Sequence, residues 1–448
     1  MMVGGVAGAA EPAWRYQVTA GEGARELRVD GVIAGGYSQE LSVDEGAEPF
    51  VRDVAVSTDG KSWRTIAPKD DSWFAPECVR GCRVRYRFEL ERAAAALSSE
   101  AGEKLDTVIQ APPSTWLLHP LHAPPGRDYR FAVTAPAGIR FVTGVHRVGA
   151  DAFGADVSQL RDSPYSAFGP LDVETLHVAR ATIDVAFVPG PAIDRAAVVK
   201  ALTRAAEVVA RYFHRFPVER LLVLVVPTGS DDLHGRTLGG GGATLMLYVG
   251  RDARADELAK SWVPAHELTH LAFPTVPRAQ LWIAEGMATY LEPIERARAG
   301  DLPAEKLWHD LVDGLPQGQP GFGDRGLDHT HTWGRTYWGG ALFCMLADLE
   351  IRVRTANRRS LDDAVRAIVA AGGTLERSWP LERALDVGDK AVGVPLLREL
   401  YARLGGAAVT IDLDAWWKKL GIKLVAGRLV FDDSAPLAAV RRAITVGP

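Results

Sequence analysis

The chain has 448 residues, of which 47% are hydrophobic and 24% are charged, and its formal net charge at pH 7 is −5. These proportions are ordinary for a globular protein, and the length is sufficient for two or three domains with substantial cores. The acidic balance and the lack of a basic cluster argue against a nucleic-acid partner, and no apolar run reaches the roughly 18 residues of a membrane span.

The first twelve residues differ in composition from the rest of the chain. Residues 1–12 are mostly small and apolar, a pattern typical of the end of a secretory signal, although a basic start and a full apolar length are missing. We interpret this segment as a signal-peptide remnant or a disordered tail. A remnant predicts a location in the cell envelope, periplasmic or secreted, with the cytoplasm as the alternative. In an oxidising compartment Cys78 and Cys82 could close a small disulfide loop.

The predicted elements divide the chain into a β-rich part and a mixed part. Residues 13–178 consist of short alternating segments separated by Gly, Pro and Asp turns, which predicts an N-terminal antiparallel β domain. An α/β lobe begins near residue 179, where predicted strands at 182–188 and 220–226 enclose a predicted helix at 194–213. The remainder of the chain is mostly helical. We therefore expect an α+β, multidomain protein whose second domain covers residues 179–448.

A run of four glycines precedes the apolar segment 243–249, which predicts a strand. An edge strand exposes unpaired backbone groups that can bind an extended peptide with little regard to its side chains, and glycines beside it allow the peptide backbone to come close.

The most informative local pattern is His266-Glu267-Leu268-Thr269-His270. Residues four apart lie one above the other on a helix, so the imidazoles of His266 and His270 can converge on one metal ion. Glu267 is rotated roughly 100° from His266, where its carboxylate faces the metal's water and can serve as general base. We predict a helix over residues 257–273, with a start at Pro264 as the alternative because a first turn tolerates proline.

A second predicted helix, residues 280–296, supplies the third metal ligand. Its Glu285 lies among apolar neighbours, and a buried carboxylate is unfavourable unless it is paired or bound to a metal. Two histidines and one glutamate are a recurrent ligand set for catalytic zinc, which keeps its fourth position for water. The sequence therefore predicts one zinc ion (Zn2+) per chain. Thr289 and Glu292, on the same helix, are candidates for orienting the ligands from behind.

A third motif, Tyr337-Trp338-Gly339-Gly340-Ala341-Leu342, lies downstream of these helices. Together with the HExxH motif and the stretch Trp282-Ile283-Ala284-Glu285-Gly286, it resembles the gluzincin zinc peptidases, most of all the glycyl aminopeptidase family and more distantly the aminopeptidase N family. The resemblance implies a thermolysin-like α/β and helical catalytic unit, in which the strand before the zinc helix is the sheet edge that binds substrate. On this basis the candidate substrate-binding residues are Gly241, Gly242, Ala243 and Thr244. It also implies that Tyr337 donates a hydrogen bond to the oxyanion.

The sequence thus predicts a zinc-dependent metallopeptidase with a glutamate general base, and the family resemblance favours an aminopeptidase. Related aminopeptidases hold the free amino terminus of the substrate with an acidic residue near the substrate edge, and residues 239–249 contain none. A zinc endopeptidase or oligopeptidase is therefore the first alternative, and a non-catalytic zinc-binding scaffold is the second. The expected partners are peptide or protein substrates, and the oligomeric state is left open.

Overall fold

The computed structural model of the protein describes residues 11–98, 100–230 and 232–447, which form two compact units. The first unit contains the chain up to Val173 together with two later segments, Ala186–Gly190 and Leu238–Thr244. The second unit contains the rest of the chain. The predicted second domain, 179–448, included both later segments, whereas the structure packs them with the first unit. The predicted signal remnant lies almost entirely outside the described residues.

The first unit is built on a seven-stranded sheet of order β13-β11-β1-β2-β7-β4-β5, with a three-stranded sheet β10-β3-β6 and a four-stranded sheet β12-β14-β9-β8. Its elements are β1 (Trp14–Ala20), β2 (Leu27–Ala34), β3 (Glu40–Ser42), β4 (Val51–Ser57), β5 (Arg64–Thr65), β6 (Trp73–Phe74), β7 (Gly81–Phe88), α1 (Leu90–Ala96), β8 (Glu103–Leu105), β9 (Val108–Gln110), α2 (Pro113–Trp116), β10 (His119–Pro120), β11 (Asp128–Thr134), β12 (Arg140–Thr143), β13 (Phe153–Asp156) and β14 (Ser166–Gly169).

The β-rich character predicted for this unit is confirmed. In β1 buried and exposed residues alternate, which is why one face of the large sheet closes over an aromatic core that includes Trp14, Trp116 and Phe131. β1 pairs with β2 in antiparallel orientation but with β11 in parallel orientation, so the expectation of antiparallel pairing is wrong for β1 and β11. A parallel pair requires a long connection, here the chain between the two strands, rather than a hairpin. Cys78 and Cys82 form a disulfide.

The second unit contains a five-stranded sheet of order β15-β16-β17-β19-β18. Its strands are β15 (Asp172–Val178), β16 (Ala181–Phe187), β17 (Arg220–Thr228), β18 (Leu233–Gly239) and β19 (Ala243–Gly250), and helix α3 (Arg195–Phe213) connects β16 to β17. The prediction that the strand at 243–249 is the sheet edge is wrong, because β19 lies between β17 and β18. Every residue of β19 is buried, as an apolar run in a central strand requires, and the partly exposed β18 forms the edge.

The rest of the second unit is helical, as predicted, and ends in a hairpin and a last helix. The elements are α4 (Ala255–Lys260), α5 (Val263–Thr269), α6 (Leu281–Ala299), α7 (Ala304–Gly314), α8 (Gly340–Arg354), α9 (Leu361–Ala370), α10 (Leu381–Val392), α11 (Leu396–Leu404), α12 (Leu413–Leu420), β20 (Ile422–Val425), β21 (Arg428–Phe431) and α13 (Ala438–Val446). Among the described helices, none is long and apolar enough to cross a membrane.

The predicted helix at 257–273 is divided in the structure. α4 ends at Lys260, and α5 begins at Val263 with Pro264 in its first turn, so the alternative start is the one observed. Proline lacks a backbone N–H, and a first-turn N–H has no partner within the helix, so the break before Pro264 removes the conflict. His270 follows α5 directly and keeps helical dihedral angles, which preserves the spacing of the two histidines.

Candidate metal centre

Two neighbouring helices bring together the three predicted metal ligands. His266 and His270 come from α5 and the turn that follows it, and Glu285 comes from the first half of α6. One Glu285 carboxylate oxygen lies 3.6 Å from Nε2 of His266 and 3.5 Å from Nε2 of His270. All three ligand atoms lie within 4.8 Å of one another. Two imidazoles and one carboxylate therefore converge on one point.

The two separations between Glu285 and the histidines match the dimensions of a zinc site. Zinc binds histidine nitrogen and carboxylate oxygen at about 2.0–2.2 Å, and two such ligands at a tetrahedral angle lie roughly 3.3–3.5 Å apart. The nitrogen–oxygen distances at Glu285 are close to this value and longer than an ordinary hydrogen bond. Two-His-one-Glu donors are also a recurrent set for catalytic zinc. The residues present thus fit the ligand set of a zinc ion, which His266, His270 and Glu285 would hold.

The charges of the cluster are arranged in favour of an ionised carboxylate. Burial by itself raises the pKa of the Glu285 carboxyl, but the facing imidazoles of His270 and His266 lower it below its usual range. Burial lowers the pKa of His270, and the carboxylates of Glu285 and Glu267 outweigh it and raise the pKa to about 9. The ligand carboxylate is therefore anionic at neutral pH, which is the form that binds a metal.

Glu267, the predicted general base, lies against the edge strand β18. Thr237 donates a hydrogen bond of 2.7 Å to Oε2 of Glu267, and the same hydroxyl lies 3.1 Å from the backbone oxygen of Glu267. A Cβ on Gly235 would lie only 2.5 Å from Cγ of Glu267, so a larger residue there would displace the base. The sequence motifs do not identify Gly235 and Thr237 as site residues. The available signal was a glycine within a short polar segment, which in a strand marks close contact.

Tyr337, the predicted oxyanion donor, lies in a π-helical turn, Arg335–Gly339, that leads directly into α8. Such turns are rare and occur often at functional sites. The rings of Tyr337 and His266 are stacked with their centroids 6.5 Å apart. Burial and the nearby carboxylates of Glu285 and Glu267 raise the pKa of the Tyr337 phenol to about 12. The phenol therefore keeps its proton at neutral pH and can act as a hydrogen-bond donor.

A contact between two glycines allows Tyr337 and Glu285 to share one site. A Cβ on Gly286 would lie 2.1 Å from the carbonyl carbon of Gly340, and a Cβ on Gly340 would lie 2.0 Å from the carbonyl oxygen of Trp282. The backbones of α6 and α8 therefore touch immediately after Glu285, which no residue with a side chain would permit. The sequence motifs contained both glycines, but their packing role becomes evident only in the structure.

The residues predicted to bind substrate occupy a different environment. The backbone N–H of Ala243 donates to the oxygen of Gly144, and the oxygen of Gly241 accepts from the N–H of His146. Thr244 is fully buried, and its hydroxyl donates to the backbone oxygen of Tyr165. A Cβ on Gly242 would lie 2.0 Å from the oxygen of Gly144. These contacts lie inside the first unit, and substrate binding by Gly241, Gly242, Ala243 and Thr244 remains a prediction.

The two residues predicted to orient the ligands lie further along α6. The Thr289 hydroxyl donates to the backbone oxygen of Glu285 at 2.8 Å, not to its carboxylate. Glu292 is buried and accepts a hydrogen bond of 2.8 Å from Arg296. Burial raises the pKa of the Glu292 carboxyl to about 7, an increase that the Arg296 charge limits. An orienting role for Thr289 and Glu292 remains a prediction.

Comparison with known proteins identifies the fold. No protein-family model and no curated protein matches this sequence. Among solved structures, an aminopeptidase N family protein from Idiomarina loihiensis aligns with a TM-score of 0.68 at 14% identity, over 91% of this chain and 78% of its own. An M1 zinc metallopeptidase from Deinococcus radiodurans aligns with a TM-score of 0.57 at 17% identity, over 89% of this chain and 94% of its own.

A mutant of the Deinococcus radiodurans enzyme bound to a Tyr-Ser-Ala substrate aligns equally well, with a TM-score of 0.57 at 15% identity over the same shares of both chains. These likenesses show that the chain has the fold of the M1 zinc metallopeptidases, with a β-rich N-terminal region and a helical C-terminal region. The resemblance to gluzincins inferred from the motifs is confirmed at the level of the fold.

Proposed function

We propose that the protein is a zinc-dependent metallopeptidase with a thermolysin-like catalytic site. The observation that carries this proposal is the convergence of His266, His270 and Glu285 on one point, with the carboxylate of Glu267 and the phenol of Tyr337 beside it. The three converging side chains would hold the zinc ion. When bound, zinc lowers the pKa of its water from 15.7 to about 7 and polarises the substrate carbonyl.

Each surrounding side chain has a task in peptide hydrolysis. The Glu267 carboxylate accepts a proton from the attacking water and returns it to the leaving amine. Thr237 binds Oε2 of Glu267 and leaves Oε1 for that proton. The protonated phenol of Tyr337 donates to the negative charge that develops on the former carbonyl oxygen, a contribution of roughly 2.7–4 kcal/mol for one preorganised donor.

Within this class the fold favours an aminopeptidase, because the similar structures include an aminopeptidase N family protein and a metallopeptidase bound to a short peptide. An endopeptidase or oligopeptidase is the alternative, and it is favoured by the lack of an acidic residue in the segment 239–249. A non-catalytic zinc scaffold is disfavoured, since a base and a proton donor accompany the ligand set.

A matched pair of peptides tests these possibilities. The zinc-loaded protein is incubated with one peptide that has a free amino terminus and with its amino-acetylated twin, and the products are followed by mass spectrometry. An aminopeptidase shortens the free peptide from its first residue and leaves the acetylated twin intact, whereas an endopeptidase cleaves both at an internal bond. Cleavage of neither peptide by protein with one zinc per chain would contradict the peptidase proposal.

We also propose that the protein functions in the cell envelope or outside the cell. The disulfide between Cys78 and Cys82 supports this location, because disulfides persist mainly in oxidising compartments. Thiol blocking at the moment of cell lysis, followed by mass spectrometry of the protein from its native cells, tests the proposal. A reduced Cys78–Cys82 pair in that material would favour the cytoplasm instead.

A further inference from the structure

A cavity of about 700 Å³ opens beside the metal centre, within the second unit. His266 and Tyr337 line it at the site. Its wall continues along α6 through Thr289, Glu292 and Arg296, which are spaced three and four residues apart and therefore share one helix face. Arg296 follows Glu285 by eleven residues, or about 16 Å along the helix axis. The cavity thus extends from the reacting atoms to well beyond them.

The apolar part of the wall is rich in tryptophan. Trp262 and Trp333 line the cavity although 53% and 62% of their surfaces are exposed. Trp262 contacts the His266 ring edge-on at 5.1 Å, and Trp333 stacks on Tyr337 at 5.7 Å between centroids. Pro293, Leu302, Leu311 and Trp338 complete the apolar surface. Exposed tryptophans that touch the site residues are typical of a surface that a ligand covers.

The charged residues of the wall already have partners of their own. Arg296 binds Glu292 at 2.8 Å, and Asp301 binds Arg204 at 2.7 Å. The remaining pairs are Lys306 with Asp310, Asp313 with His309, and Lys260 with Asp256. A charged substrate side chain in this cavity would compete with these ion pairs for a counterion, whereas an apolar side chain would cover the tryptophans. The wall therefore favours an apolar over a charged side chain.

We infer that this cavity binds a bulky apolar side chain, best an aromatic one, on the substrate residue that adjoins the scissile bond. The inference rests on the proposed peptidase function and adds a substrate class to it. Aromatic side chains bury about 150–250 Å² each, and their rings pack well against tryptophan. Discrimination by an apolar pocket is about 10–200-fold for even a single methylene, so the preference for an aromatic over a small residue is readily measured.

Binding measurements on a variant that should not hydrolyse peptides test this inference independently of catalysis. The zinc-loaded Glu267→Gln protein is titrated calorimetrically with tripeptides that carry Ala, Trp or Lys on either side of the bond that would be cleaved. We expect the Trp peptide to bind at least about tenfold more tightly than the Ala peptide for one of the two positions, and the Lys peptide no more tightly than the Ala peptide. Equal affinities for Trp and Ala at both positions would overturn the inference.

Two further substitutions, made in the Glu267→Gln protein, test whether the preference for the Trp peptide arises in this cavity. Leu302→Asp places an unpaired carboxylate in the cavity wall and should reduce the advantage of Trp about tenfold while favouring Lys. Trp333→Ala removes an exposed aromatic wall without threatening the fold and should also reduce the Trp advantage. Leu424→Asp, on the half-exposed hairpin strand β20, is the matched control and should change nothing. An unchanged Trp preference in both cavity variants would place the binding pocket elsewhere.

The wild-type protein is assayed separately for hydrolysis of the same peptides. Selective binding without any hydrolysis would contradict the proposed activity but support the cavity assignment. Hydrolysis without selectivity for either flanking residue would support the proposed activity but contradict the cavity assignment.

Discussion

Two polar clusters among the described residues of the second unit differ in how their charges are neutralised. In the structural cluster, Arg352 binds Asp348 at 2.9 Å and Arg298 binds Asp362 at 2.7 Å, while Tyr212 donates to Asp362 at 2.6 Å. These five residues come from α3, α6, α8 and α9 and connect the four helices. Each carboxylate has a guanidinium, so the cluster carries its own cations.

The metal centre is built differently. Its Glu285 carboxylate faces two imidazoles at 3.5–3.6 Å, and no Lys or Arg side chain among the described residues forms an ion pair with it. This partly buried carboxylate therefore faces imidazoles, which carry a positive charge only when protonated and bind a metal only when neutral. The two clusters thus differ in chemistry: the first contains guanidinium groups, which are always charged and do not bind metals, whereas the second contains imidazoles, which can.

Replacement of Glu285 should have the largest effect, because it removes a ligand. We expect Glu285→Ala to lose zinc affinity and activity together, measured by metal analysis after dialysis and by peptide hydrolysis. Full zinc retention by Glu285→Ala would contradict the assignment of Glu285 as a ligand, and with it the contrast between the two clusters. Another acid would then have to be the ligand. Glu292 would then be the first candidate, in spite of its bond to Arg296.

Glu267→Gln should separate metal binding from chemistry. Because Glu267 handles protons and is not among the converging ligand atoms, zinc content should stay near one per chain while hydrolysis is abolished. Zinc by mass spectrometry under native conditions and single-turnover assays provide both values. Near-normal turnover of this variant would rule out the proposed mechanism.

Arg352→Met should act on stability instead. It leaves the buried carboxylate of Asp348 without its guanidinium, which typically lowers the free energy of unfolding by about 3–5 kcal/mol. Zinc content of the folded protein should not change. The control is Arg354→Met on the same helix, whose partly exposed ion pairs contribute at most about 1 kcal/mol. Urea midpoints of the two variants should therefore differ clearly, and equal midpoints would contradict a structural role for the cluster.

Tyr337→Phe should lower kcat by about 10²–10³ with little change in substrate binding, because a bond made only in the transition state affects kcat. Zinc content and stability should remain near those of the wild type, since phenylalanine fills almost the same volume. A wild-type kcat would reduce Tyr337 to a packing residue and leave the oxyanion donor to be identified elsewhere.

Thr237→Val should have the smallest effect of the five. It removes the hydroxyl that holds Oε2 of Glu267 but keeps the shape of the side chain, and a hydrogen bond to a charged group contributes about 1.5–3 kcal/mol. We expect kcat to fall about tenfold while KM and zinc content stay constant. Thr237→Ser, which restores the hydroxyl, should recover most of the rate. Equal rates for the Val and Ser variants would indicate that the hydroxyl does not position the base.

The local patterns of the sequence predicted which three side chains, His266, His270 and Glu285, come together. His266 and His270 are four residues apart, so a single helical turn determines their relative position, and Glu285 could be assigned because a carboxylate among apolar helix residues requires a partner. The β-rich first region and the succession of helices in the second unit also follow from hydrophobic periodicity. These features depend on neighbours in the chain, which the sequence displays directly.

Tertiary structure alone decided which strand forms the sheet edge and which distant residues contact each motif. The apolar sequence of β19 is compatible with either a central or an edge position in the sheet. β19 is central because it pairs with β17 on one side and with β18 on the other. Thr237 meets Glu267 across thirty residues, and Gly286 meets Gly340 across fifty-four. Such contacts depend on how whole elements pack, and helical or strand periodicity carries no information about a partner so distant in the chain.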